Sequence, residues 1–273
     1  MPRLPRSKQQ KKVEVPHRSF SQLSSYAQCS EQYRLERLYK TPDTPAAWTA
    51  LGSAFHRTYE IWEHAGRTSD LAVDFTYYYD KEIQELIKSQ PDFSYWDKTP
   101  NVKSVEQDIK LRREHGIKQT LAYAEHALKS PWKIHKYPEL GGSITLGDIT
   151  VRWTADVVLE WPDGQLTVRD IKTGNKGNVK SNLQLGIYKL GLQENFGIEV
   201  TQGEFWFTKD GTSGGYDNLQ RYTRSYIEDL FGALESGIQN KVFLPNPGSH
   251  CKFCGVKPFC RELGVIGNVP TSR

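Results

Sequence analysis

The sequence predicts a mixed α/β fold with an N-terminal helical elaboration, on three observations. Helical periodicity dominates up to about residue 130. Short segments rich in Ile, Val, Thr and Trp, punctuated by turns, follow from Lys133, and further helical stretches then alternate with strands. With 37% hydrophobic and 25% charged residues, a chain of 273 residues can bury the core of one large domain, which excludes wholesale disorder.

Residues 1–18 carry Arg3, Arg6, Lys8, Lys11, Lys12 and Arg18 against a single acid, Glu14, and read as a flexible basic arm. No apolar run follows, and no segment approaches the ~20 apolar residues of a membrane span, so a cytoplasmic protein without a membrane partner is expected. The net charge of +4 permits a polyanionic partner without demanding one.

From Ser19 to Tyr39, the residues Leu23, Tyr26, Tyr33 and Leu38 recur at helical spacing, with Ser19 or Ser21 as N-cap, which predicts one or two helices. Pro42 and Pro45 interrupt the pattern. A helix from about Ala46 to His64 follows, then helices from about Asp70 to Ser89 and Val102 to Lys129 around a loop containing Pro91 and Pro100. A sheet begins near Lys133. One strand is expected from Ile149 to Trp161 and a second from Gln165 to Thr173. After them come a helix from about Val179 to Asn195, a strand around Val200 to Thr208 and a helix from about Thr223 to Asn240. There is no internal repeat and no low-complexity tract.

Alternate side chains of a strand share a face, so Asp170 and Lys172 project together. Pro162-Asp163-Gly164 suits a three-residue hairpin loop, a type I turn closed by a left-handed glycine, which pairs Trp161 with Gln165. Counting back from that pair sets Asp156 opposite Asp170 and Thr154 opposite Lys172. Opposed side chains have Cβ atoms about 5 Å apart, where two carboxylates repel unless a cation lies between them. Hard carboxylate oxygens suit Mg2+ or Mn2+, and Lys172 beside them can position water and stabilise charge on a phosphate. The plainer reading is a surface hairpin with a salt bridge among Asp170, Lys172 and Arg152.

Four cysteines, Cys29, Cys251, Cys254 and Cys260, place a C-x2-C-x5-C group near one end, and in a reducing compartment that spacing points to metal or cluster ligation rather than disulfides. Tetrahedral zinc and an iron-sulfur cluster both accept four thiolates, and His250 can compete as a zinc ligand.

The ordered set Gly52-x3-His56, Asp156, Asp170-Ile171-Lys172-Thr173-Gly174, Gln184-x3-Tyr188 and the cysteines resembles the PD-(D/E)xK nuclease superfamily. The resemblance is to its RecB-like, iron-sulfur branch, which includes the AddB nuclease domain and the CRISPR-associated adaptation nuclease. It covers about 19–262 and implies a restriction-endonuclease-like mixed sheet core flanked by helices. Within it, a helical region would span about 19–130, a catalytic core 131–240 and a C-terminal cluster-binding segment 241–262, followed by a tail, 263–273. It further implies that His56, Asp156, Asp170 and the carbonyl of Ile171 bind the catalytic Mg2+ or Mn2+, and that Lys172 acts with both acids in catalysis. Gln184 and Tyr188 would support the site and contact the DNA backbone, and Cys29, Cys251, Cys254 and Cys260 would hold a 4Fe-4S cluster, with zinc as the alternative. Ser30 departs from the family, which has proline after its first cysteine. His56 would share a helix face with Gly52, Tyr59, Glu60 and Glu63, while Ala47, Leu51, Ala54 and Ile61 mark a more apolar face.

The resemblance thus implies a metal-dependent deoxyribonuclease, an exonuclease rather than an endonuclease, acting on single-stranded or end-containing DNA. Recombination, repair or phage DNA processing would be its setting, and a helicase or recombination protein its partner. The rival expectations are a catalytically inactive DNA-binding or scaffold protein of the same fold and a zinc-stabilised interaction module.

Overall fold

The computed structural model describes residues 17–174, 176 and 181–260, so the basic stretch 1–16, the expected helix start at Val179 and positions 261–273 lie outside the described residues. Ser19 accepts the Gln22 N–H and opens α1 (Phe20–Gln28). Cys29, in extended conformation at φ −160 and ψ 101, breaks the helix before α2 (Ser30–Tyr33), which runs on as a π-helical turn over Arg34–Leu38. The break forms with Ser30, not a proline, after the cysteine. Three long helices follow: α3 (Ala47–His64), α4 (Leu71–Ser89) capped by Asp70, and α5 (Val105–Lys129) capped by Ser104. Their facing stripes bury Leu51, Phe55, Tyr59, Trp62, Phe75, Tyr79 and Tyr123 in one core. Tyr59 is therefore a core residue, not part of a polar face with His56, because α3 packs against both α4 and α5.

A three-stranded sheet orders β1 (His17–Arg18), β4 (Ile149–Ala155) and β3 (Leu140–Leu146), and a five-stranded sheet orders β2 (Lys133–Ile134), β5 (Val157–Glu160), β6 (Leu166–Lys172), β7 (Gln202–Phe207) and β8 (Thr212–Asn218). Residues 17–18 leave the expected arm: they pair in parallel with Thr150 and Val151, and Arg18 forms an ion pair with Glu235. The hairpin closes as expected, with Gly164 at φ +83, its N–H on Trp161 O at 2.9 Å and the Trp161 N–H on Gln165 O at 2.9 Å. Val157 faces Arg169 and Glu160 faces Leu166, in the expected register.

The strand expected from Ile149 to Trp161 is two strands in two sheets, split at Asp156. Thr154 consequently pairs with Gly141 rather than with Lys172, and Arg152 pairs with Ser143, away from the acids. The reason is the inward face of β4, where Val151, Trp153 and Ala155 are buried with Leu140, Ile144 and Leu146 of β3. A single long hairpin would have stripped that cover from them. β8, with Gly214 and Gly215, carried too little strand propensity to be anticipated and is an edge strand held by pairing to β7.

The parallel pair β6–β7 is joined through α6 (Leu183–Phe196), and α7 (Arg224–Gln239) follows β8. The larger sheet lies between two cores. Val157, Leu159, Ile171 and Trp206 pack toward α3 to α5, whereas Val158, Val168, Phe205 and Phe207 share a core with α6 and α7. Asp170 and Lys172 have the parity of Val168 and so face α6. Among the described residues no helix is long and apolar enough to cross a membrane.

Buried Leu185, Ile187, Tyr188, Leu190 and Leu192 cover α6 on nearly every side, and Gly191 lets its backbone approach the Trp153 indole. A Cβ at Gly191 would collide with that buried ring, whose Nε1–H already donates to Asn195 Oδ1 at 3.0 Å. Gly191→Ala is expected to destabilise the fold by about 2 kcal/mol despite the better helix propensity of alanine. Thermal unfolding should show a fall of roughly 5 °C in Tm.

Candidate active site

Asp156 occupies the break between the sheets, where its backbone no longer has a regular ladder partner. Its side chain takes over: Oδ2 accepts the Ile171 N–H at 2.5 Å, while its carbonyl accepts the Glu139 N–H at 2.9 Å. Asp156 is thereby held beside the end of β6, where Asp170 and Lys172 emerge. Both acids are buried, Asp156 at 8% and Asp170 at 2% exposure, and both line one pocket of about 480 Å³. His56, Glu139, Ile171, Lys172, Thr173, Gly174, Gln184 and Tyr188 complete its wall.

His56 reaches the pocket from α3, with Nδ1 3.5 Å from Asp156 Oδ1 and 3.7 Å from Glu139 Oε1. The ligand atoms of His56, Glu139 and Asp156 all lie within 4.8 Å of one another. Glu139 was not singled out from the sequence. It sits in a turn after Pro138 with φ 56, so no strand or helix periodicity marks it, and one acid among many carries no signal until the turn folds against Asp156.

Asp170 belongs to a second set of contacts. Its Oδ1 accepts the Tyr188 hydroxyl at 3.1 Å, Tyr188 accepts from Gln184 Nε2 at 2.5 Å, and Gln184 Oε1 accepts from Lys172 Nζ at 3.1 Å. Lys172 Nζ closes the ring at 2.6 Å from Asp170 Oδ2. Gln184 and Tyr188, one turn apart on α6, therefore brace the lysine and the acid. Tyr188 is buried, its hydroxyl donates to Asp170, and it lines the pocket.

The electrostatics favour a cation. Burial raises the Asp170 pKa to about 6, helped by the Asp156 charge and opposed by Lys172, and burial likewise raises Asp156 against the pull of His56. Burial disfavours a charged His56, yet Asp156, Glu139 and Asp170 outweigh it and lift its pKa to about 9. Asp170 Oδ2 is buried and, apart from the ion-pair contact with Lys172, has no well-formed hydrogen bond. Three acids and an imidazole nitrogen lining one pocket make a donor set of hard oxygens and nitrogen, which fits a divalent ion such as Mg2+ or Mn2+.

The cysteines lie elsewhere. Cys29, at the α1–α2 break, directs Sγ toward Leu244 O at 4.0 Å, and Ser30 Oγ accepts the Leu244 N–H at 2.7 Å, so the first helices hold the segment that leads to the other three. Thr44 ties Gly255 through both its N–H and its hydroxyl, and Lys257 pairs with Asp97. All four cysteines are free thiols, and burial with the neighbouring charges of Glu36, Cys251 and Cys29 raises the Cys254 pKa to about 11. Among the described residues no three of the thiols lie within 4.8 Å of one another, as the ligand atoms of the His56 group do.

Two curated relatives span nearly the whole chain. The "Gene 69 protein" of Mycobacterium phage D29 is 33% identical over 268 residues, covering 91% of this chain and 97% of the relative. That of Mycobacterium phage L5 is 31% identical over 286 residues, with the same coverage. Among solved structures, the crystal structure of SSO0001 has 16% identity and a TM-score of 0.35, covering 56% of this chain and 78% of that one. A family profile matches residues 17–261, which include every residue of the pocket and all four cysteines, and by that match the chain belongs to the PD-(D/E)XK nuclease superfamily.

Proposed function

We propose that the protein hydrolyses DNA phosphodiester bonds, as an exonuclease on single-stranded or end-containing strands, with Asp156, Asp170, His56 and Glu139 holding a divalent ion and Lys172 serving the reaction. The observation that carries this reading is the convergence on one pocket of two buried acids, Asp156 from the break between the sheets and Asp170 from β6, with an ammonium beside them. Bound there, Mg2+ or Mn2+ supplies Lewis acidity toward a phosphoryl oxygen and toward water. The Ile171 main chain adjoins the same position and joins the proposed ligand set. Lys172 has three N–H donors; one faces Asp170 and one Gln184, which leaves a third for a phosphate oxygen or the attacking water. Gln184 and Tyr188 keep that ammonium and Asp170 in register. An inactive scaffold of the same fold would have no use for so costly a buried charge group. The phage origin of the two relatives supports phage DNA processing as the setting; a helicase or recombination protein is the partner we propose.

The main test compares wild type with Lys172→Ala on end-labelled linear and on circular single-stranded DNA in Mn2+. Wild type should degrade the linear strand and spare the circle, and the variant should lose about 100- to 1,000-fold in kcat. Binding without cleavage by wild type would instead identify a scaffold. Addition of Mn2+ should raise the Tm of wild type by several degrees, since an ion bound to the native state alone stabilises it, and Asp156→Ala should abolish the shift. An unchanged Tm in wild type would contradict a preformed metal site.

We further propose that Cys29, Cys251, Cys254 and Cys260 hold a 4Fe-4S cluster that ties α1 to the last described segment. Support comes from the family spacing and from the contact of the Cys29 turn with residue 244. Anaerobically purified protein should contain about four iron atoms and absorb visible light. Cys254→Ser should lose the colour and much of the iron; stoichiometric zinc in wild type would overturn the cluster in favour of a four-thiolate zinc site.

A further inference from the structure

We propose that Tyr137, backed by His64, is a stacking platform for an unpaired nucleobase of the strand whose phosphate lies in the metal pocket; the proposal rests on the nuclease reading above. The turn from His135 to Glu139 is tied down at both ends to the chain that carries Asp156. The His135 N–H donates to Val158 O at 2.8 Å, and the Glu139 N–H donates to Asp156 O at 2.9 Å. The His135 ring also meets Glu160 Oε2 at 2.9 Å, and Pro138 is buried beneath the turn. Within it, Lys136 at φ 69 and Glu139 at φ 56 adopt the left-handed conformation that side chains other than glycine rarely take. Such conformations persist where surrounding contacts over-determine them, and they cluster at functional sites.

Glu139 enters the pocket beside His56 and Asp156, whereas Tyr137 stands 47% exposed, with its ring 6.4 Å from that of His64 and inclined at 31°. His64 is itself exposed and lies two turns beyond His56 on α3. A solitary exposed tyrosine is ordinary. Tyr137 differs because it stands in a clamped turn, two residues before Glu139, which lines the pocket. Two residues span at most ~7 Å of backbone, so its ring lies within one or two nucleotides of the ligand group.

A rigid exposed ring binds any base face, since stacking is tolerant of sequence, but only a base free of its own stack can use it. Bases inside a duplex are stacked on both faces and offer none. The platform therefore selects unpaired nucleotides next to the scissile bond, and it does so without a charge of its own, leaving the phosphate to Lys172 and the ion.

The test measures affinity for fluorescein-labelled single-stranded DNA, and for the same strand with one abasic site walked along it, in Ca2+. Wild type, Tyr137→Ala and Tyr137→Phe are compared, and cleavage by each is read in Mg2+. Tyr137→Ala should bind the intact strand about 10-fold more weakly, with Tyr137→Phe close to wild type. At one abasic position wild type should lose the same factor and Tyr137→Ala no more, while affinity for blunt duplex stays within about twofold of wild type. Equal affinity of Tyr137→Ala and wild type for single strands would overturn the platform, as would a loss of the same size on duplex or independent of the abasic position. Absence of cleavage by wild type would instead remove the nuclease reading, a failure visible in the Mg2+ arm alone.

Discussion

The hydrogen bond from the Ile171 N–H to Asp156 Oδ2 is the contact on which the arrangement of the site depends. It forms because the chain changes sheets at Asp156, so a carboxylate stands in for the missing backbone acceptor at the end of β6. This substitution has two consequences. It satisfies a buried N–H that would otherwise be left unpaired, and it draws a charged group into a region where Asp170 already lies. Burial first, and a neighbouring acid after it, push both groups upward, with Glu139 acting on Asp156 and Asp156 on Asp170. That electrostatic debt is what makes the pocket receptive to a divalent ion.

Each flank of the pocket is stiffened by a different core. On the α6 side, Tyr188 and Gln184 carry a continuous hydrogen-bonded path from Asp170 to Lys172. On the opposite side of the same strand, Arg169 pairs with Glu204 across the β6–β7 register and lies over the Trp132 and Trp206 rings at 5.1 and 4.8 Å. A buried ion pair of this kind adds little net stability, but a one-residue slip of β6 against β7 would leave both charges unpaired. It therefore favours the register that presents Asp170, rather than its neighbours, to the pocket. Helices α3 to α5 complete the support by carrying His56 on a rigid element whose other side is core.

Much of this was legible from residue order because it rests on local rules. Hairpin closure at 162–164 follows from proline and glycine backbone preferences, and the alternation of Asp170 and Lys172 follows from strand geometry. The caps of Ser19, Asp70, Ser104 and Thr223 mark helix starts close to those expected. The error over Thr154 arose at the same place as the success over Asp156. Local pattern continues a strand through Asp156, whereas burial of Trp153 and Ala155 under β3 and α6 sends the chain into a second sheet.

Sequence by itself determined the order of acids, lysine and cysteines along the chain, the helix and hairpin boundaries, and the pairing register that makes Asp156 and Asp170 neighbours, since all of these depend on spacing along one segment. Only the tertiary structure decided that Glu139 joins His56 and Asp156, that Tyr188 is buried against Asp170, that Tyr59 is core, and that Cys29 meets the segment after α7. Those outcomes depend on which distant surfaces bury each other, a property of the whole packing that no local periodicity encodes.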